Sequence, residues 1–200
     1  VATGCKHKGS VIIKGTFSGS APATVILERN DLEKCVIVDT AKVKKNRFSF
    51  KAAITEPEFF QVRSGKNDFV SILAFPGGNI TLSFNGTPLV NNYTVSGSKE
   101  SEKIRQLDLR LGQTHASLDS IRKAYQALSG SELTVMGPSL EKQYRGAIDR
   151  QRMYNIRFVL GNFKSMASIK ALYQRIDENT YVLYQPRDLQ YLKIVSDSLR

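Results

Sequence analysis

Near Gly97 the apolar pattern of this 200-residue chain changes period, and no other feature restricts its fold as strongly. Before Gly97 apolar residues alternate with polar ones in short runs, as they must in a strand with one buried face. After it they recur at intervals of three and four, as they must on a helix with one buried stripe. The chain therefore reads as α+β. An antiparallel β-sandwich or open barrel occupies residues 10–97, an α-helical domain occupies residues 98–200, and residues 1–9 form a tether.

The first part offers strands at residues 10–17 (SVIIKGTF), 23–28 (ATVILE), 35–40, 47–52, 58–63, 69–75 and 79–84. Turn formers separate them, among them Asn30-Asp31, Lys45-Asn46 and Gly65-Lys66-Asn67. Alternation is clearest in Arg47-Phe48-Ser49-Phe50-Lys51 and in Asn79-Ile80-Thr81-Leu82-Ser83-Phe84. Residues 69–75 (FVSILAF) are apolar almost throughout, which suits a central strand covered on both faces. With no Trp in the chain, the alternating Phe48, Phe50, Phe59 and Phe60 read as core rather than as a sugar-stacking platform. Cys35, inside Cys-Val-Ile-Val, reads as a small buried hydrophobe.

Ser98 can cap a long helix with Ser101 or Glu102 in its first turn. Ile104, Leu107, Leu111, Thr114, Leu118, Ile121, Tyr125 and Leu128 form its apolar stripe, interrupted only by Thr114. Ser129-Gly130-Ser131 ends that helix, and Gly137-Pro138 punctuates the chain again before Ser139 caps a second long one. Leu140, Tyr144, Ala147, Gln151, Tyr154 and Phe158 share a face of this second helix, so an antiparallel pair follows. Shorter helices are expected over residues 165–176, burying Met166, Ile169, Leu172 and Tyr173, and from Pro186 onward, burying Leu189, Leu192, Val195 and Leu199. Residues 179–185 read as a linker.

A formal net charge of +11 raises the question of nucleic acid. Its distribution argues against it. Residues 1–97 carry 12 basic and 7 acidic side chains and residues 98–200 carry 17 and 11, so the excess is spread along the chain. Its densest clusters, Lys42, Lys44, Lys45 and Arg47, then Arg145, Arg150, Arg152 and Arg157, read as a polar turn and a solvated helix face. No nucleic-acid partner is expected. No apolar run reaches the roughly 20 residues that a membrane-spanning helix needs.

Catalytic, cofactor and metal sites are equally unsupported. Cys5 and Cys35 form no CxxC pair, and a disulfide between them has no particular support. His7 and His115 have no carboxylate or thiol partners at ligand spacing. Glu100 with Glu102 and Asp177 with Glu178 sit in polar boundary segments, where capping and solvation explain them. No nucleophile stands near a plausible base, so the chain is not expected to be an enzyme.

Val1-Ala2-Thr3-Gly4-Cys5, followed by a short polar tether, looks like the end of a bacterial lipoprotein signal, in which the cysteine thiol receives a diacylglyceryl group. Ala2 stands where such signals usually carry Leu. Cys5 is thus the candidate lipidation site, and a lipid anchor the expected route to a membrane. Further stretches, taken in order, resemble the N-terminal region of Bacteroidetes-type envelope lipoproteins that end in a thioredoxin-like domain of the AhpC/TSA class. They are residues 11–17 (VIIKGTF) and 23–27, Val38-Asp39-Thr40-Ala41 leading to Phe48-Ser49-Phe50, and Phe75-Pro76-Gly77-Gly78-Asn79-Ile80. Tyr93-Thr94-Val95-Ser96-Gly97-Ser98 and Asn162-Phe163-Lys164-Ser165-Met166-Ala167-Ser168 complete the set.

The resemblance implies a cell-envelope location, in the periplasm and lipid-anchored, and a non-catalytic module that positions or presents a thioredoxin-like domain or an envelope partner. In that family the third domain begins at about the position of Ser198-Leu199-Arg200, and the family's thiol chemistry maps onto no residue here. The resemblance also implies O-glycosylation at Asp-(Ser/Thr)-aliphatic or small motifs, here Thr40, Ser120 and Ser198. Asn79, Asn85 and Asn92 begin N-x-Thr sequons, which matter only in a eukaryotic secretory setting. The alternative reading is a glycan- or peptide-binding envelope lipoprotein that uses the sandwich loops or the seam between the halves, and nucleic-acid binding through the net basic charge stands third.

Overall fold

A computed structural model describes residues 9–30 and 35–199. Within these residues eight strands come first: β1 (Gly9–Phe17), β2 (Thr24–Asn30), β3 (Cys35–Lys42), β4 (Arg47–Ile54), β5 (Glu58–Gly65), β6 (Asp68–Ala74), β7 (Asn79–Phe84) and β8 (Tyr93–Ser96). Four helices follow: α1 (Lys99–Gln126), α2 (Gly130–Gly161), α3 (Ala167–Tyr173) and α4 (Leu189–Ser198). The fold is α+β. The chain forms two compact units, Val1–Gln106 and Leu107–Arg200, so the first turns of α1 belong to the strand-rich unit.

Two four-stranded sheets, ordered β4-β1-β7-β8 and β3-β2-β5-β6, make the sandwich, and neither closes into a barrel. Every neighbouring pair is antiparallel except β1 with β7, which run parallel with Ile13 opposite Ile80 and Phe17 opposite Phe84. Alternation decides what is buried. In β4 the side chains of Phe48, Phe50, Ala52 and Ile54 face inward while Arg47, Ser49, Lys51 and Ala53 stay exposed. Phe17 stacks on Phe84 with ring centroids 4.9 Å apart, and Phe48 tilts against Phe50 at 5.5 Å. Each such ring contributes about 1.5–3 kcal/mol by leaving water.

β6 is covered on both faces, as its composition suggests, yet it lies at the edge of its sheet rather than in the centre. The start of α1 supplies the missing partners. Ser101 Oγ accepts the Leu73 N–H at 3.0 Å and donates to the Leu73 carbonyl, which also accepts from Ser98 Oγ at 3.0 Å. Ser98 further accepts the Ser101 N–H at 3.1 Å, so the predicted helix cap and the edge seal are one device.

The opposite edge of that sheet corrects an expectation. Cys35 is exposed, not buried, and Val36, Ile37 and Val38 are exposed with it at 41, 60 and 36%. A strand's apolarity tells how it could pack but not whether a second layer covers it, and among the described strands β3 bonds to β2 alone.

In the second unit α1 and α2 run antiparallel: Arg110 lies over the Tyr154 ring at 5.6 Å, Thr114 meets Gln151, and Leu118 packs in one cluster with Ala147. The long second helix starts earlier than expected. It begins after Ser129 rather than at Ser139 and carries Pro138 inside it. Glu132 accepts both the Ser129 N–H and its hydroxyl at 3.2 Å, a capping arrangement that fixes the earlier start. The carbonyl that Pro138 leaves unbonded belongs to Thr134, on an exposed turn.

Further along, Tyr173 is 59% exposed and Leu189 65% exposed, contrary to expectation. Met166, Ile169, Leu192 and Leu199 are only half-buried, and the short α3 buries Leu172 as expected together with Ala167, Ser168 and Ala171. Residues 179–185 are no loose linker. The Val182 N–H donates to the Gln174 carbonyl at 2.8 Å, and the Val182 side chain is fully buried beside Leu118 and Ala147.

Candidate functional site

A depression of about 710 Å³ opens on the outer face of the β4-β1-β7-β8 sheet. Outward-facing positions build it. β1 contributes Lys14 and Thr16, β4 contributes Arg47 and Ser49, and β7 contributes Thr81, with Lys14 opposite both Ser49 and Thr81 and Thr16 opposite Arg47. The end of β3 adds Ala41 and Lys42 at the rim, and the β3–β4 connection adds Lys44.

Backbone hydrogen bonds fix that connection at both ends. Lys44 and Arg47 exchange two backbone hydrogen bonds at 3.0 Å around Lys45 and Asn46, whose φ values of 50° and 59° make the two-residue hairpin turn that suits twisted strands. The Asn46 carbonyl accepts the Phe17 N–H at 2.9 Å, which ties the turn to β1. Beneath the depression the Phe48 ring lies across Gly15, so closely that any side chain at Gly15 would overlap it.

Four exposed cations, Lys14, Lys42, Lys44 and Arg47, thus surround three hydroxyl groups. Among the described residues no carboxylate forms an ion pair with any of the four. Such a surface can hold anionic groups by charge and orient them by hydroxyl hydrogen bonds. It offers no nucleophile with a base beside it.

The sequence-derived candidates fall elsewhere. Cys5 and His7 lie outside the described residues. Thr40 is exposed on β3, where the Asp39 carboxylate takes its N–H at 2.7 Å. Ser120 is exposed on α1 next to the Asp119–Arg122 pair. Ser198 ends α4 and donates to the Ile194 carbonyl at 2.7 Å. These three positions share no element. Cys35 Sγ lies 3.3 Å from Asn30 Oδ1, and His115 Nε2 donates to the Ile176 carbonyl at 2.8 Å.

Ordinary sequence patterns missed two buried polar assemblies in the second unit. In one, the Thr114 hydroxyl bridges the Arg110 carbonyl and Gln151 Oε1, at 3.2 and 2.6 Å. Gln151 donates to Asn155 at 2.8 Å, Asn155 to Gln174 and the Ala171 carbonyl at 2.9 Å, and Gln174 to the Leu107 carbonyl at 3.1 Å. The signal was present: Thr114 interrupts the stripe of α1 and Gln151 lies on the facing stripe of α2.

In the other assembly Arg152 donates from Nε to Asp188 Oδ2 at 3.0 Å and from Nη2 to Oδ1, with both side chains nearly inaccessible. Burial pushes the Asp188 carboxyl up, but the Arg152 hydrogen bond, the Gln185 N–H and the Arg152 and Arg187 charges outweigh it and hold it below the ordinary carboxylate value. Asp108 goes the other way. Burial raises it against the pull of Lys170 at 3.5 Å.

Among the described residues no group of three or more His, Cys, Asp or Glu could hold a metal ion, and no helix is long and apolar enough to cross a membrane. No curated protein matches the chain. Residues 11–104, running from β1 to the second turn of α1, are similar to a family described only as a domain of unknown function, DUF4369.

Proposed function

We propose that this chain is a non-catalytic module of a bacterial cell-envelope lipoprotein, anchored through a lipid on Cys5, which positions or presents a thioredoxin-like domain or another envelope partner. One observation carries the reading: where the family-like stretches fall in the fold. Residues 11–17 are in β1, 23–27 lead into and form most of β2, and the Val38-to-Phe50 stretch spans the β3–β4 hairpin. The Phe75-to-Ile80 stretch turns β6 into β7, the Tyr93-to-Ser98 stretch hands β8 to α1, and residues 162–168 join α2 to α3. Most are framework positions, though residues 14–16, 41, 48 and 49 also line the depression. A likeness of this kind supports a shared fold and points to no shared reaction centre, which is consistent with a presenting module.

Two measurements test this. Chain produced without any further domain should reduce insulin disulfides no faster than free cysteine at equal thiol concentration, and robust turnover would refute the non-catalytic reading. Labelled fatty acid should enter the protein in a bacterial host that has the lipoprotein pathway, when it is expressed from its complete reading frame, and Cys5→Ser should abolish the label. Labelling that survives Cys5→Ser, or never occurs, removes the anchor. Sequencing the complete reading frame settles whether a thioredoxin-like domain follows.

A further inference from the structure

We infer that the depression on the β4-β1-β7-β8 sheet is a binding site for an acidic polysaccharide, one whose carboxylate or sulfate groups recur along an extended chain. The inference goes beyond the presenting role above and does not depend on it. Three features of the face carry it.

The first is unneutralised charge in an ordered array. Lys14 stands opposite Ser49, midway between Arg47 and Lys51 on the neighbouring strand, and all three point outward. Residues two apart on a strand lie about 6.7 Å apart and neighbouring strands about 4.8 Å, so Arg47, Lys14 and Lys51 zigzag in steps of about 8 Å. Lys42 and Lys44 continue the array at the rim. A row of cations set on a rigid sheet suits a row of anions on a chain.

The second is hydroxyl density. Thr16, Ser49, Thr81 and Ser83 occupy outward positions around Lys14 and Arg47, with Ile12 opposite Lys51, and Thr16 Oγ1 meets Ser83 Oγ at 3.4 Å. Hydroxyls that both donate and accept match the hydroxyls of a sugar ring, as a purely cationic surface would not.

The third is what the groove presents for stacking. The one aromatic residue lining it, Phe48, is 6% exposed and turned into the core. Single-stranded nucleic acids bind such grooves by stacking bases on aromatic faces, which this lining does not offer, so a glycan would be held here by its acid groups and hydroxyls rather than by stacking. The size of the depression, about 710 Å³, and its open form suit several linked units rather than one free phosphate.

The test is binding by the full chain to polygalacturonate and to heparin, with neutral dextran and a single-stranded oligonucleotide as comparisons. At least one acidic glycan should bind and dextran should not. The carboxylated and sulfated arms identify the acid group. Engagement of the four cations that line the depression predicts that affinity falls roughly 50-fold between 50 and 200 mM salt if the counterion release resembles that of a single-stranded polyanion. Lys14→Ala/Lys44→Ala/Arg47→Ala should weaken binding at least about tenfold, whereas Lys142→Ala/Arg145→Ala/Arg150→Ala on α2, which removes the same number of exposed charges elsewhere, should leave it unchanged. If the first triple variant melts below the parent, Lys14→Gln and Arg47→Gln singly are compared instead, each expected to weaken binding about threefold. Three results overturn the site: neither glycan binds, both sets of variants lose binding equally, or the oligonucleotide binds as tightly as the glycans.

Discussion

Asp188→Asn should destabilise the second unit by about 3–5 kcal/mol, because it leaves the buried Arg152 guanidinium without its counter-charge. The magnitude follows from the geometry. The Asp188 carboxylate accepts two hydrogen bonds from Arg152 and one from the Gln185 N–H at 3.0 Å, and the two side chains are only 6 and 4% exposed. Charge-assisted bonds contribute about 1.5–3 kcal/mol each, and the amide keeps one acceptor, so a loss smaller than the sum is expected. With a urea slope near 2 kcal/mol per molar, the midpoint should fall by about 2 M.

Far-ultraviolet circular dichroism reads this, since the helices dominate the signal. Replacing both partners, Arg152→Met/Asp188→Leu, should restore stability to within about 2 kcal/mol of the parent by removing both buried charges. The pH dependence has a definite sign. The folded-state carboxyl lies below its unfolded value, so its contribution is present above the ordinary carboxylate range and is lost as pH falls through the folded value. Asp188→Asn should therefore flatten the acid limb of the stability curve. A loss under about 1 kcal/mol, or a double variant as unstable as either single one, would refute the argument.

Gly97→Ala should cost about 3 kcal/mol or more in thermal or urea melts, because φ there is +84° and the added carbon would overlap the Asn79 carbonyl. A near-neutral result contradicts that backbone. In a Cys5→Ser background, Cys35 should react fully with Ellman's reagent without denaturant, and protection until urea is added contradicts its exposure. A fragment ending at Gln106 should stay soluble and cooperatively folded, whereas one ending at Gly97 should aggregate or melt at least about 10 °C lower. The shorter one loses the Ser98 and Ser101 hydroxyls on Leu73, the fully buried Ile104 and the Arg105 bond to the Tyr93 carbonyl at 2.6 Å. Equal stability of the two fragments overturns the edge-seal argument.

That seal also explains which parts of the fold the sequence could disclose. Alternation from Arg47 to Ile54 named both a strand and its buried face, and the stripe from Ile104 onward named a helix, because each is a local consequence of backbone period. Sheet position is not local. β3 and β6 are both rich in apolar residues and both lie at an edge, yet Ile37 is exposed and Leu73 fully buried. The difference lies in what approaches from outside the strand. Two serines from α1 meet Leu73, while β3 pairs only with β2 among the described strands. Pro138 misled for a related reason: a proline rule weighs one residue, whereas the helix start was set upstream by Ser129 and Glu132.

The basic depression was half-legible in the same sense. The run Lys42, Lys44, Lys45, Arg47 stands out in the sequence, and a polar hairpin turn accounts for it locally; the turn itself is real. What a linear reading could not supply is Lys14 and Thr81, which join the cluster only because β1 lies between β4 and β7. Alternation assigns residues to the face of a strand, but only strand order makes neighbours of them. The same holds for charge. An excess spread evenly over the two halves of the chain argued for simple solvation, yet on this sheet Lys14 faces Ser49 and Thr81, Arg47 faces Thr16 and Lys51 faces Ile12, none of them a carboxylate. Whether a basic chain has a basic site is therefore decided by which side chains its pairing places together, and net charge carries no such information.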